Sequence, residues 1–148
     1  MKRIYLTLFT LILALSFQAQ EGLQINAFFD KDYQRRENAT EVLVKGKKLK
    51  PYNLTLFRSI TLKDAPDEAI KIEQCLLKDA EQAVETVGAN FGDRLFYGFY
   101  CLPPRYDDEY RYMFYRNTSV KPGSQRHEVT LVYMEGYATL DEIENMFK

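Results

Sequence analysis

Tryptophan, histidine and cysteine are scarce in this chain, whose 148 residues include no tryptophan, one histidine and two cysteines. Because a transition-metal site needs several histidine, cysteine or carboxylate ligands at one point, this composition argues against zinc. The chain also lacks a P-loop, a glycine-rich dinucleotide fingerprint, and the Gly-x-Ser-x-Gly and Ser-x-x-Lys motifs. We therefore expect no cofactor and no metal, and we favour binding over catalysis.

The N-terminus has a basic start, an apolar run and a small, polar end. Lys2 and Arg3 come first, the largely apolar residues 4–15 follow, and Ser16-Phe17-Gln18-Ala19-Gln20 closes the segment. This succession predicts a secretory signal peptide over residues 1–19, with cleavage after Ala19. A membrane-spanning helix would need about 20 apolar residues. We therefore expect no membrane span after cleavage and a periplasmic or secreted location.

The remaining residues 20–148 have a length that suits a single domain with its own core. The 20 basic residues of the whole chain fall to 18 without Lys2 and Arg3, against 21 acidic residues, so the net charge of the mature chain is about −3. Nucleic-acid binding relies on a basic surface. This charge balance therefore argues against a nucleic-acid partner.

Hydrophobic periodicity predicts an α+β fold for this domain. Strand patterns occupy residues 40–45, 54–62, 84–87, 95–102, 110–116 and 128–134, with Pro103-Pro104 ending the fourth of them. Helix patterns occupy residues 23–33, residues 66–80 behind a capping Asp64, and the stretch that the capping box Thr139-Leu140-Asp141-Glu142 opens. Hairpin-length loops join the later strands. We therefore expect a mostly antiparallel sheet with about three helices packed on one face.

The two cysteines, Cys75 and Cys101, allow one pairing. An exported chain reaches an oxidising compartment, where a disulfide is allowed. The alternative is two buried free thiols, because cysteine packs well as a small apolar residue. The sequence offers no geometry that decides between them.

Aromatic residues and arginines concentrate between Phe96 and Arg116. In strand 110–116, Tyr110 and Tyr112 share one face, while Arg111 and Tyr115 share the other. If one face is core, the opposite face presents tyrosine or arginine, which are favoured at binding hot spots. Tyr110, Arg111, Tyr112 and Tyr115 are therefore the candidate binding surface. The alternative is cross-strand aromatic pairing that only stabilises the sheet.

His127 is the one candidate for a catalytic base, and no local motif supplies it with a nucleophile. Cys101 could meet it across the sheet, although a solvent-facing histidine is the simpler interpretation. Asp107-Asp108-Glu109 could attract Ca²⁺, but its spacing does not match an EF-hand. We interpret it as a solvated hairpin tip, and we predict no catalytic residue.

Four short stretches carry a resemblance to other proteins. They are Gln18-Ala19-Gln20, Ile25-Asn26-Ala27-Phe28-Phe29-Asp30-Lys31, Tyr100-Cys101-Leu102-Pro103 and Leu131-Val132-Tyr133-Met134-Glu135-Gly136. With them the chain resembles a group of small exported Gram-negative bacterial proteins of unknown function, an uncharacterised family. The resemblance implies a periplasmic or secreted setting and no particular reaction.

These observations favour a non-catalytic module of the cell envelope that binds another protein or a peptide. One alternative is a small periplasmic hydrolase that uses His127, Cys101 or the acidic loop. The other is a module for sugars or lipids, which would need a sizeable apolar cavity. The sequence predicts no particular oligomeric state.

Overall fold

The structure is a computed structural model that describes residues 22–30, 33, 35–106 and 109–147. The predicted signal peptide, residues 1–19, lies outside the described residues. The same holds for Asp107 and Asp108 of the acidic loop.

Six strands form one antiparallel sheet in the described part of the chain. They are β1 (Ala39–Lys45), β2 (Leu54–Lys63), β3 (Glu85–Phe91), β4 (Arg94–Tyr106), β5 (Glu109–Asn117) and β6 (Glu128–Gly136). Their order is β1-β2-β6-β5-β4-β3, so β6 lies between β2 and β5, and β1 and β3 form the two edges. The predicted mostly antiparallel α+β fold is confirmed.

Two α-helices with described bounds and four 3₁₀ segments accompany this sheet, and the described residue Tyr33 is also helical. The helices are α1 (Pro66–Asp79) and α2 (Leu140–Met146), and the 3₁₀ segments are Gln24–Phe29, Gly46–Tyr52, Ala80–Gln82 and Thr118–Val120. Of the first predicted helix, residues 23–33, the described part contains the 3₁₀ segment Gln24–Phe29, and Tyr33 is also helical, whereas the other two predicted helices are present as predicted.

The centre of the sheet, around β5 and β6, is buried on both faces. On the α1 face, Met113 and Tyr115 of β5 pack in one cluster with Ile72 and Leu76 of α1. On the α2 face, the alternate residues of the same strand pack in a second cluster with the side chain of Ile143 from α2. The expectation that the helices share one face is therefore wrong. Both alternating sets of β5 side chains are apolar, so each face needs its own cover.

Local signals account for the starts of both helices, with one correction. Asp64 does not cap α1, because Ala65 occupies the N-cap position and no side chain accepts a hydrogen bond from the first turn. The helix begins after Ala65 with Pro66 in its first turn. In α2 the predicted capping box is confirmed, since the Thr139 hydroxyl accepts the N–H of Glu142 at 3.2 Å.

Strands β3 and β4, which form the hairpin at one edge of the sheet, are longer than predicted. β3 continues to Phe91, where a turn with Gly92 at φ +63° leads into β4. β4 continues past Pro103-Pro104 to Tyr106, with a shift of register against β5 between Leu102 and Tyr106. An irregular stretch of strand tolerates proline, because the missing N–H of proline is not needed for a hydrogen bond to the neighbouring strand.

Candidate functional site

The candidate aromatic–arginine surface does not form. Tyr112 and Tyr115 are 1% and 0% exposed and belong to the cores of opposite faces. Burial raises the pKa of Tyr115 to about 12 and also raises that of Tyr112. Tyr110 is 36% exposed, and half-buried Arg111 donates to the carbonyl of Pro103 at 3.4 Å. The alternation was predicted correctly, but both faces are core.

The two cysteines are free thiols that lie on opposite faces of the sheet. Half-buried Cys75 packs against the α1-face cluster, while buried Cys101 belongs to the α2-face cluster. The disulfide considered from the sequence is therefore not formed, because the sheet separates the two sulfur atoms. Burial raises the pKa of both thiols, which disfavours the reactive thiolate.

His127 lines a small cavity of about 240 Å³ together with Ser119 and Asp64. Serine, histidine and aspartate are the residue types of a catalytic triad, but these three side chains do not make the contacts of a triad. The Ser119 hydroxyl donates to the side-chain oxygen of Asn117, and the imidazole makes no hydrogen bond to a described residue. Cys101 lies opposite Tyr112, about five residues along β5 from the His127 end. Among the residues that the structure describes, no nucleophile is therefore in hydrogen-bond contact with His127.

The acidic loop is described only at Glu109. Its carboxylate accepts the hydroxyl of Thr55 at 3.0 Å. Within the described ranges, no three histidine, cysteine or acidic residues come close enough together to hold a metal ion.

The exposed edge strand β3 is the most distinctive surface of the molecule. Six of its seven residues are exposed, and only Val87 is half-buried. From Thr86 to Phe91 it carries no charged residue and no proline. An edge strand has unpaired backbone N–H and C=O groups, which charged residues and proline normally protect from pairing with another chain. β3 has neither form of protection between Glu85 and Asp93.

The opposite edge, β1, differs in this respect. It contains Glu41, which pairs with Arg58 at 3.4 Å, and it ends in Lys45. Lys47 and Lys48 follow directly in the chain. Charges of this kind discourage strand addition, so the two edges of one sheet are chemically unequal.

Clefts flank β3 on both faces of the sheet. The α1-face cleft, about 490 Å³, is lined by Thr86, Gly88, Ala89, Asn90, Leu77 and Tyr100 among others. On the α2 face, a tyrosine cleft of about 250 Å³ includes Glu85, Cys101, Tyr110, Tyr112 and Tyr137. A separate aromatic cleft of about 620 Å³, to which β3 contributes no residue, includes Phe96, Tyr97, Phe147, Arg116 and Lys121.

A glycine pair keeps the α1 face of this edge open. Gly88 of β3 lies opposite Gly98 of β4. The ring of Tyr100 covers Gly98 so closely that a Cβ there would be 2.5 Å from the tyrosine oxygen. Because Gly88 has no side chain, the α1-face cleft extends to the edge of the sheet.

Sequence reasoning predicted a short strand at residues 84–87 but not the importance of its edge. The available signal was the uncharged run from Thr86 to Gly92 in a chain with 41 charged residues among 148. That this run forms an edge depends on the sheet order, which local patterns do not encode.

Comparison with known proteins identifies a family for this chain. No helix among the described residues has the length and hydropathy to cross a membrane. No curated protein and no solved structure matches the chain. Residues 12–147 match a family that is described as a family of unknown function, DUF6108. Because the match spans most of the chain, it confirms the resemblance to an uncharacterised family, and this chain belongs to the DUF6108 family.

Proposed function

We propose that this protein is an exported, non-catalytic binding module that adds an extended peptide segment of a partner protein to the free edge of β3. The observation that carries the proposal is an exposed edge strand, uncharged from Thr86 to Phe91, that helps to line one cleft on each face of the sheet. Strand addition uses main-chain hydrogen bonds for affinity and pockets for alternate side chains for specificity.

The geometry suits a peptide strand. Successive side chains of a strand point to opposite faces. A strand beside β3 directs one set of side chains toward the α1-face cleft, where Gly88 leaves room. The other set points toward the tyrosine cleft that Glu85 lines on the α2 face.

Export is the second part of the proposal. The basic, apolar and polar succession of residues 1–19 supports a signal peptide that is cleaved after Ala19. The mature module then acts in the periplasm of a Gram-negative cell or in its surroundings. N-terminal sequencing of material from the periplasm and the medium tests this part. We expect Gln20 as the first residue, and exported material that begins at Met1 would contradict it.

The peptide-binding part is tested by selecting phage-displayed random dodecapeptides on immobilised residues 20–148, which contain every described element. We expect enriched peptides whose binding protects the backbone amides of residues 85–91 from hydrogen exchange. In the variant Thr86→Lys/Ala89→Lys, the enriched peptides should bind about tenfold more weakly, since a strand pair contributes up to about 1 kcal/mol at each position.

A matched control uses the other edge of the sheet. The variant Thr40→Lys/Leu43→Lys also places two lysines three residues apart at exposed positions of an edge strand. It should bind the selected peptides as the wild type does. Equal loss in both variants, protection confined to other segments, or no enriched peptide would each count against addition to β3.

A second candidate function is a small ligand in the aromatic cleft. Its volume of about 620 Å³ lies in the range of ligand sites. Four rings line it, and Arg116 is held there by the carbonyl of Phe147 at 3.1 Å. A sugar or lipid in this cleft would depend on the ring of Phe147 and not on the β3 edge. Two variants distinguish the two functions. Phe147→Ala should weaken binding of a sugar or lipid, whereas Thr86→Lys/Ala89→Lys should weaken binding of a peptide.

A further inference from the structure

We propose that the connection between β1 and β2 binds the surface of an anionic phospholipid bilayer. This inference does not rest on the peptide-binding function, because it concerns the opposite edge of the sheet. Its basis is a concentration of positive charge beside exposed apolar side chains.

The charge is sharply local. Between Glu41 and Asp64 the chain has no acidic residue and six basic ones, although its overall net charge is −1. Four of the six are Lys45, Lys47, Lys48 and Lys50, and all four are exposed. Within the part of the chain that the structure describes, none of the four forms an ion pair. Their charge is therefore available to an external anion.

The backbone holds these lysines in a defined segment. Lys47, Lys48 and Lys50 belong to the 3₁₀ segment Gly46–Tyr52, whose Leu49 side chain is buried in the α2-face cluster. At its end, Asn53 adopts φ +58° and donates its N–H to the carbonyl of Lys50 at 3.1 Å. The segment is anchored by one apolar side chain and presents its lysines to the outside.

Exposed apolar residues flank the lysines on both sides in the chain. Leu43 and Tyr52 are each 53% exposed, and Val42 is 42% exposed. Interfacial binding combines insertion of apolar side chains with attraction to anionic headgroups, and tyrosine is favoured at the interface. A soluble polyanion would use only the lysines. The pairing of lysines with exposed leucine and tyrosine therefore favours a bilayer.

The first experiment measures co-sedimentation of residues 20–148 with vesicles, since this length omits the apolar N-terminal segment and keeps every described element. We expect binding to vesicles of phosphatidylglycerol and phosphatidylcholine in equal parts, no binding to phosphatidylcholine alone, and loss of binding in high salt. Each lysine near an anionic surface contributes about a factor of five, so Lys47→Gln/Lys48→Gln/Lys50→Gln should weaken binding about 100-fold.

The matched control removes three exposed lysines elsewhere, in Lys71→Gln/Lys78→Gln/Lys121→Gln. This variant has the same net charge and should bind the anionic vesicles nearly as the wild type does. Equal weakening by the two variants, or no binding of the wild type to the anionic vesicles, overturns the proposal. Circular dichroism of each variant verifies the fold.

The second experiment separates a bilayer from a polyanion, with polyphosphate as the soluble probe. Leu43→Ser/Tyr52→Ser should weaken binding to the anionic vesicles and leave any binding to polyphosphate unchanged. If this variant binds the vesicles as the wild type does while the lysine variant loses both ligands, the site recognises anions in general and the bilayer proposal is wrong.

Discussion

The carboxylate of Asp79, at the C-terminal end of α1, accepts the backbone N–H of Ile25 at 2.9 Å. The same carboxylate accepts the N–H of Gln24 at 2.9 Å, so it fixes the start of the first 3₁₀ segment. Asp79 is buried, and the Ile25 side chain belongs to the α1-face core. One carboxylate therefore joins the beginning of the described chain to the helix that covers the sheet.

Asp79→Asn should lower the free energy of unfolding by about 1–3 kcal/mol, because the amide leaves either the buried N–H of Ile25 or the partly buried N–H of Gln24 without its acceptor. Urea unfolding followed by far-UV circular dichroism measures this loss. Glu81→Gln, an exposed substitution just beyond α1, is the control and should change little. An unchanged stability of Asp79→Asn would show that the contact contributes nothing.

The contribution of Asp79 should also depend on pH. Burial raises the pKa of its carboxyl in the folded protein, while the hydrogen bonds from Gln24 and Ile25 oppose the rise. A group with a raised folded pKa stabilises most below its unfolded pKa, and this contribution is lost as pH rises through the folded pKa. The stability difference between wild type and Asp79→Asn should thus be larger near pH 4 than near pH 7. A difference that grows with pH would contradict the raised pKa.

Gly98→Ala should destabilise the fold by about 1–3 kcal/mol through overpacking. The added Cβ would lie 2.5 Å from the oxygen and 2.6 Å from a ring carbon of Tyr100, which is itself buried. In Gly98→Ala/Tyr100→Ala the clash is absent, so the double variant should lose less stability than the sum of the two single variants. Additive losses in this cycle would rule out the clash as the cause.

Residues 20–148, unfolded without a reducing agent, should contain two thiols that react with Ellman's reagent. The reason is the separation of Cys75 and Cys101 by the sheet. In the folded protein Cys75 should react first, since it is half-buried while Cys101 is fully buried. The variants Cys75→Ser and Cys101→Ser assign the two phases. Fewer than two reactive thiols after unfolding would contradict the separation.

His127→Ala should leave both the fold and the binding of selected peptides unchanged. The side chain is exposed and makes no hydrogen bond to a described residue, and such surface changes alter stability by less than about 0.5 kcal/mol. Ser119→Ala, which removes the hydroxyl from the same cavity, serves as the comparison. Loss of a native activity in both variants with an intact fold would instead indicate a hydrolase site in this cavity.

Local patterns predicted much of the framework correctly. The helix pattern over residues 66–80 predicted α1, and its apolar residues Ala69, Ile72 and Leu76 are buried. Alternation in β5 placed Tyr112 and Tyr115 on opposite faces, as the structure has them. These features depend on neighbours three, four or two residues away, which is why a single sequence is sufficient to find them.

Acidic residues within a helix show where such patterns fail. Glu73 lies in α1 beside its apolar stripe, and no pattern marks it as buried. In the structure its carboxylate accepts the N–H of Leu95 at 2.6 Å and pairs with Arg94 at 2.9 Å. Its role depends on a hairpin about 20 residues further along the chain. A buried acid with distant partners has no signature in its immediate sequence.

The sequence by itself determined the helices with clear periodicity, the alternation of the strands and the uncharged run that became β3. Only the tertiary structure decided that β6 lies between β2 and β5, that the two cysteines are on opposite faces, and that β3 is a free edge. The physical reason is distance along the chain. Periodicity shows which face of a helix or strand is apolar. The order of the strands, and the elements that pack on each face of the sheet, result from contacts between segments that are far apart in sequence.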